Sequence, residues 1–242
     1  MSVTQTCKSL TKLFVEVAHE ELSIDLHRQS LCQEMDFHPL KAFFRIKDIK
    51  NMYSSESTTK DYVDANDLYD FLHNSYHDDV KRTEWVTLVN YFDSNSQTRL
   101  DFDDFLLILL PCKDKELRNV IKRSKYAVDK FYPDEKILHQ DWEILLASLF
   151  KREIDLFRLK NNILEDLNSV TKCSPLELFQ LIDTKNKSLI DHLTLKDFCF
   201  RNKYYATNDE LIAMMRRVDT DGDSKINYND FIQFITMDNP IK

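Results

Sequence analysis

Glycine is almost absent: the chain has one in 242 residues, Gly222. Backbone that must approach a phosphate closely, or turn sharply beneath a nucleophile, depends on residues without a side chain. The near-absence therefore argues against a Gly-rich phosphate loop, a dinucleotide fingerprint and a nucleophile elbow. No HExxH or kinase signature appears either, so the chain is expected not to be an enzyme. Cysteine is scarce and scattered. Cys7, Cys32, Cys112, Cys173 and Cys199 are odd in number and show no CxxC spacing, which argues against a zinc ribbon and a disulfide framework and for a reducing compartment. No apolar run approaches the roughly 18 residues of a membrane span, and Met1–Cys7 lacks the charged and apolar regions of a signal peptide. A cytoplasmic protein without a membrane span is expected. Basic residues are outnumbered, 33 against 41 acidic, for a net charge of −8. Nucleic acid is then a poor partner, since phosphate binding needs clustered cations.

What the chain does contain is the run Asp219-Thr220-Asp221-Gly222-Asp223-Ser224-Lys225-Ile226-Asn227-Tyr228-Asn229-Asp230. Counting from Asp219, carboxylates fall at positions 1, 3 and 5, and they can converge on one hard cation if the backbone coils tightly. The Lys225 carbonyl supplies position 7, Asn227 acts at position 9 directly or through water, and Asp230 closes the cage at position 12. A plain polar turn accounts for the residue types but not for agreement at six positions with an apolar Ile226 between them. Two features weaken the site. Ser224 stands where the loop turns most sharply, and a non-glycine residue held there at positive φ costs roughly 1–2 kcal/mol. Asp230 is shorter than the glutamate that closes such loops, so magnesium is less well rejected and Ca2+ or Mg2+ both fit the chemistry.

The chain also repeats itself. Pro39-Leu40-Lys41-Ala42-Phe43 corresponds to Pro175-Leu176-Glu177-Leu178-Phe179, Val63-Asp64 to Ile190-Asp191, and Leu100-Asp101-Phe102-Asp103-Asp104-Phe105 to Ile226-Asn227-Tyr228-Asn229-Asp230-Phe231. Each half thus holds two helix-loop-helix units. The apolar loop residues Val63 and Leu100, and Ile190 and Ile226, are nearly equally spaced, which predicts a short two-stranded pairing within each half. The residue after each (Asp64, Asp101, Asp191, Asn227) is a good helix N-cap. Capping boxes are expected at Ser174–Glu177 and Thr207–Glu210.

The other three loops are poorer. Asp93–Asp104 keeps Asp93, Asn95, Asp101 and Asp104 but has Gln97 at position 5 and Thr98 at the turn, so a weak second site is expected. The loop from Asp183 puts Lys185 and Lys187 where carboxylates belong and Thr194 at the end. A cation about 4 Å from a bound ion costs roughly 4 kcal/mol per unit charge at an effective dielectric near 20. That loop should stay metal-free. The first loop, from Lys47, carries the polar insertion Ser54–Lys60 and reads as an exposed excursion without ligand geometry.

Two long apolar stripes precede the repeats, one through Leu10, Leu13, Phe14, Val17, Leu22, Ile24, Leu26 and Leu31, the other from about Asp141 to Val170 through Trp142, Leu145, Leu146, Leu149, Phe150, Leu156, Phe157, Ile163, Leu164 and Leu167. Each is expected to be a helix packed internally, with its own half, against the other half, or around another protein as the three arrangements. Between the halves, Lys113 to Lys130 carries seven basic residues against three acidic ones. It reads as a helical linker, with docking on an acidic surface as the sharper alternative. His73 and His77 share a helix face without a third ligand nearby and read as surface histidines.

These loops resemble those of the EF-hand superfamily, and the order of amphipathic helix, poor hand, better hand and connector, twice over, is similar to tandem EF-hand proteins of ciliated protists, some of them axonemal. The resemblance implies an all-α fold of two calmodulin-like EF-hand pairs, each preceded by an extra amphipathic helix. The expected domains are 1–112, a basic connector 113–140, and 141–242. It implies Ca2+ or Mg2+ at Asp219, Asp221, Asp223, Lys225, Asn227 and Asp230, helix binding as the mode of action, and a cytoplasmic or ciliary setting. On this reading the chain is a scaffold or adaptor that binds partner helices or a cytoskeletal assembly. A calcium sensor or buffer, or the regulatory subunit of an enzyme, is the alternative.

Overall fold

Helices in this chain begin where a short polar side chain can satisfy the N–H groups that a first turn leaves orphaned. Asp64, Asp101, Asp191 and Asn227 each accept a hydrogen bond from the N–H three residues on, at 3.1, 2.9, 2.7 and 3.1 Å. Ser174 and Thr207 form reciprocal capping boxes with Glu177 and Glu210, and Pro175 opens its helix at the first turn. These caps fall where the sequence places them.

In the computed structural model the described residues are 3–34, 37–47, 60–73, 79–123, 140–220 and 222–236. Among them are eleven helices and no strand: α1 (Val3–Gln33), α2 (Pro39–Lys47), α3 (Ala65–His73), α4 (Arg82–Phe92), α5 (Phe102–Leu109), α6 (Lys115–Arg123), α7 (Gln140–Val170), α8 (Pro175–Ile182), α9 (His192–Arg201), α10 (Asn208–Val218) and α11 (Tyr228–Ile235). The fold is all-α, as the repeat requires. Two antiparallel backbone bridges join the loops, Val63 with Leu100 and Ile190 with Ile226. Each has both of its N–H···O bonds, at 2.8–2.9 Å. All four residues are fully buried, so the loops of a pair are coupled at their centres.

Packing divides the chain into two compact units at points other than the connector expected from the repeat. One unit is drawn from within Met1–Ser23 and Asp155–Asp238, the other from within Ile24–Ile154. The boundaries fall inside α1 and inside α7. The physical reason is length: a helix of 31 residues is about 46 Å long at 1.5 Å per residue, more than the diameter of one small domain.

Within the Ile24–Ile154 unit, α3 packs on α4 and α2 on α5. Phe150 of α7 enters their aromatic cluster, with ring centroids 6.4 Å from Phe71, 6.3 Å from Trp85 and 6.3 Å from Phe105. All three contacts are edge-on or tilted, the arrangement that aromatic quadrupoles favour. Trp142 meets Phe37 edge-on at 5.9 Å, and Glu143 pairs with Arg45 at 2.7 Å. A buried ion pair completes the attachment. Arg28 of α1, fully buried, reaches the equally buried Glu153 of α7 at 2.5 Å and donates from Nε to the Ile108 carbonyl at 2.8 Å.

In the other unit α10 contacts α9 and α11, and α8 contacts α9 and α11. Leu10, Leu13, Phe14 and Ala18 of α1 are fully buried, and Phe14 stacks on Phe234 of α11 at 5.3 Å. Glu21 pairs with Arg217 and, at 3.2 Å, with Arg216 of α10. His19 donates to Glu210 at 2.9 Å. Burial pushes the Glu210 carboxyl up, but hydrogen bonds from Tyr204, Thr207 and His19 outweigh it and hold the group at about 2. Each long helix is therefore divided: α1 up to Ser23 lies with the second pair of loops while Arg28 and Cys32 bond Ile108 and Leu109 of the first, and α7 brings Phe150 to the first pair before continuing into the other unit.

The basic connector begins as α6, with Ile121 buried and Val120 exposed. Lys125 and Lys130 lie outside the described residues, as does His77. His73 stacks on Tyr69 at 5.5 Å. All five cysteines are free thiols, and burial pushes Cys32 up to about 12 and Cys199 up to about 11.

Candidate metal centre

An ion-binding loop needs its backbone bent so that oxygens from alternate residues face one point, and φ > 0 is the sign of that bend. Three loops carry it at the same two places. Positions 4 and 6 are Ser96 (φ 56°) and Thr98 (55°) in the second loop, Asn186 (50°) and Ser188 (59°) in the third, and Gly222 (76°) and Ser224 (65°) in the last. Sequence reasoning located the strain at Ser224 and missed its twin at position 4, which the only glycine occupies. A Cβ at Gly222 would touch nothing within 4 Å, so conformational freedom is what glycine contributes there. Replacing Ser224 by glycine removes left-handed strain while adding freedom to the unfolded chain. The net expectation is a gain of about 0.5–1 kcal/mol, read as a higher urea midpoint with unchanged slope.

The position-1 carboxylate holds the bend in the same way each time. Oδ2 of Asp93, Asp183 and Asp219 accepts the position-6 N–H of Thr98, Ser188 and Ser224 at 2.6, 2.7 and 2.7 Å. In the last loop Asp219 Oδ1 also accepts the Gly222 N–H at 2.8 Å, and Asp223 accepts the Lys225 N–H at 2.8 Å. Asp230 is buried, accepting from the Asn227 N–H at 2.9 Å and from Thr220 N–H at 3.3 Å. Asp219, Asp223, Lys225, Asn227 and Asp230 thus lie on one bent loop, although Asp219, Asp223 and Asp230 do not close to within 4.8 Å of one another. Asp221 lies outside the described residues. The donor set is all oxygen, the preference of a hard divalent ion.

The second loop differs at one atom. Asp104 Oδ1 accepts the Ser94 N–H at 3.2 Å, as Asp230 accepts that of Thr220. Its Oδ2 is buried with no hydrogen-bond partner among the described residues. A buried carboxylate oxygen left unpaired is costly, and a cation is one of the few things that satisfies it. Neutral Gln97 does not supply one. In the third loop Lys187 brings its ammonium 3.8 Å from Asp191 Oδ2. Hydrogen bonds from the Thr194 N–H and hydroxyl, helped by Lys187, hold the Asp191 carboxyl below the usual range.

The first loop is where sequence reasoning missed most. Counted back from Val63, which its bridge to Leu100 fixes as position 8, Asp64 is position 9 and Asp67 position 12. Asp67 is buried, and its Oδ2 accepts the Asp64 N–H at 2.8 Å, the closing geometry of Asp230. The spacing from Val63 to Asp64 and Asp67 equals that from Ile226 to Asn227 and Asp230, and this was the available signal. Counting forward from Lys47 across the insertion hid it.

Comparison with known families agrees with the second half of this description. A family model described as an EF-hand domain pair matches residues 176–236. The match takes in α9, α10 and α11 with both loops between and around them, and most of α8. No curated protein matches the chain. The chain therefore contains an EF-hand domain pair, a fold that usually binds Ca2+ and whose members are generally non-enzymatic. Among the described residues no helix is long and apolar enough to cross a membrane.

Proposed function

We propose that this protein is a helical scaffold or adaptor in which the last loop binds Ca2+ through Asp219, Asp221, Asp223, the Lys225 carbonyl, Asn227 and Asp230. One observation supports the scaffold over the free sensor: the apolar interior of each unit already holds a phenylalanine from a long helix of the same chain, Phe14 against Phe234 and Phe150 against Phe71, Trp85 and Phe105. A sensor presents that face to a target when calcium arrives. Here the place is taken. Asp230, with one carbon fewer than glutamate, makes for a modest site, and the orphaned Asp104 Oδ2 supports a second, weaker one at Asp93–Asp104.

The partner surface that α6 fits is acidic. Lys115, Lys122 and Arg123 of α6, and Lys113 just before it, are exposed, and the carboxylate-rich tails of a cytoskeletal polymer, ciliary microtubules included, have the complementary charge.

The test is a calorimetric calcium titration of the full chain in millimolar magnesium, beside Asp219→Ala and Asp104→Asn. A principal isotherm lost in Asp219→Ala, with a weaker one lost in Asp104→Asn, is the expected result. Absence of heat in the parent chain rejects the calcium assignment. Capture of a partner only when calcium is present rejects the scaffold in favour of a sensor.

A further inference from the structure

We propose that the first loop carries its own cation: the Lys60 ammonium stands where a divalent ion would sit, between the position-9 and position-12 carboxylates. Lys60 is position 5, counted back from Val63. Its Nζ lies 3.0 Å from Asp64 Oδ2 and also bonds Asp67 Oδ2. Both carboxylates are fixed in the closing geometry by the N–H groups of Asp64 and Asp67, so the ammonium meets a preformed oxygen pair. The Tyr62 ring flanks it, with the centroid 4.5 Å from Nζ.

The third loop repeats the device in looser form. Lys187 is again position 5, and its ammonium approaches the position-9 carboxylate of Asp191. The second and fourth loops have Gln97 and Asp223 at that position. Lysine thus alternates with the two loops whose oxygens suit an ion. A lysine at position 5 can fold its four-carbon stem back over the loop and place one point charge among the oxygens.

The consequence is a first hand closed at all calcium concentrations. Divalent binding at Asp64 and Asp67 is latent and appears only when the attached charge is removed. This reading is independent of whether the last loop binds calcium.

The experiment uses the full chain carrying Asp219→Ala, to silence the last loop, with Lys60→Met, Lys60→Arg, or Lys60→Met plus Asp67→Asn added. Terbium is the probe, excited through Tyr62. The expected result is new terbium emission in Lys60→Met that calcium displaces, none in Lys60→Arg, and loss of the new emission when Asp67→Asn is added. Lys60→Met should also melt lower without ion and regain about 5–10 °C in calcium at roughly 100 times its dissociation constant. Three results overturn the proposal: no emission above the parent, emission that survives Asp67→Asn, or a Lys60→Met chain that stays unfolded in excess calcium.

Discussion

Glu153→Ala is expected to destabilise the Ile24–Ile154 unit by about 3–5 kcal/mol, because it takes a close counter-charge from a fully buried guanidinium. Arg28 and Glu153 are both 0% exposed and 2.5 Å apart. Asp25 at 3.8 Å and the Ile108 carbonyl are among the groups that still face Arg28 once the carboxylate is gone. That residual support puts the expected cost nearer the lower end of the range. Urea unfolding followed through Trp85, which is buried in this unit, reads the loss as a lower midpoint. The double replacement Arg28→Met with Glu153→Leu should recover most of it, since apolar residues of similar volume often match or exceed a buried ion pair. If Glu153→Ala alone costs under about 1 kcal/mol, the pair behaves as a surface ion pair does and the buried geometry is wrong.

The pair also sets where α7 can sit. Glu153 lies one helical turn beyond Phe150, so both project from the same face. With Glu153 fixed on Arg28, Phe150 is delivered to Phe71, Trp85 and Phe105 and cannot slide along the helix axis without breaking a buried charge contact. Hydrophobic burial supplies the attraction, about 2–3 kcal/mol for a phenylalanine, but it is nearly indifferent to a shift of one turn. The ion pair is not.

Neither Arg28 nor Glu153 was visible as a core residue in the sequence, because a charged residue inside an apolar stripe reads as a break in the stripe. The stripes themselves were legible, and so were the helices they became. An apolar face says that a helix is buried and does not say against what, which is why α1 and α7 could not be assigned to their units beforehand. The loops were legible for the opposite reason. Val63, Leu100, Ile190 and Ile226 sit at fixed distances from their caps, and the bend at positions 4 and 6 depends on backbone geometry that the position-1 aspartate holds. What hid Asp67 and Lys60 was the insertion before Val63: a count from the entering helix goes out of register, whereas a count back from the buried bridge does not.

Phe14→Ala is expected to cost the other unit about 3–5 kcal/mol, the usual range for a phenylalanine removed from a packed core. Phe14 is 0% exposed and stacks on Phe234 of α11, the helix that leaves the candidate calcium loop. For a domain with total stability on the order of 5–15 kcal/mol, that is a large share. Phe14→Leu fills much of the same volume and should cost far less, which separates a cavity from a general intolerance of change. The two variants also bear on what the EF-hand pair at 176–236 is for. His19 and Glu21 still tie α1 to α10 in Phe14→Ala, so the expected product is a folded unit with a loosened first half of α1 and a newly exposed apolar surface. An environment-sensitive dye should bind Phe14→Ala and not the parent or Phe14→Leu. Calcium should increase that binding only in Phe14→Ala, because only there is the face next to α11 vacant. Dye binding by the parent chain on adding calcium would mean that α1 leaves its place when the last loop fills, and the protein would then work as a switch whose own helix is the ligand it releases.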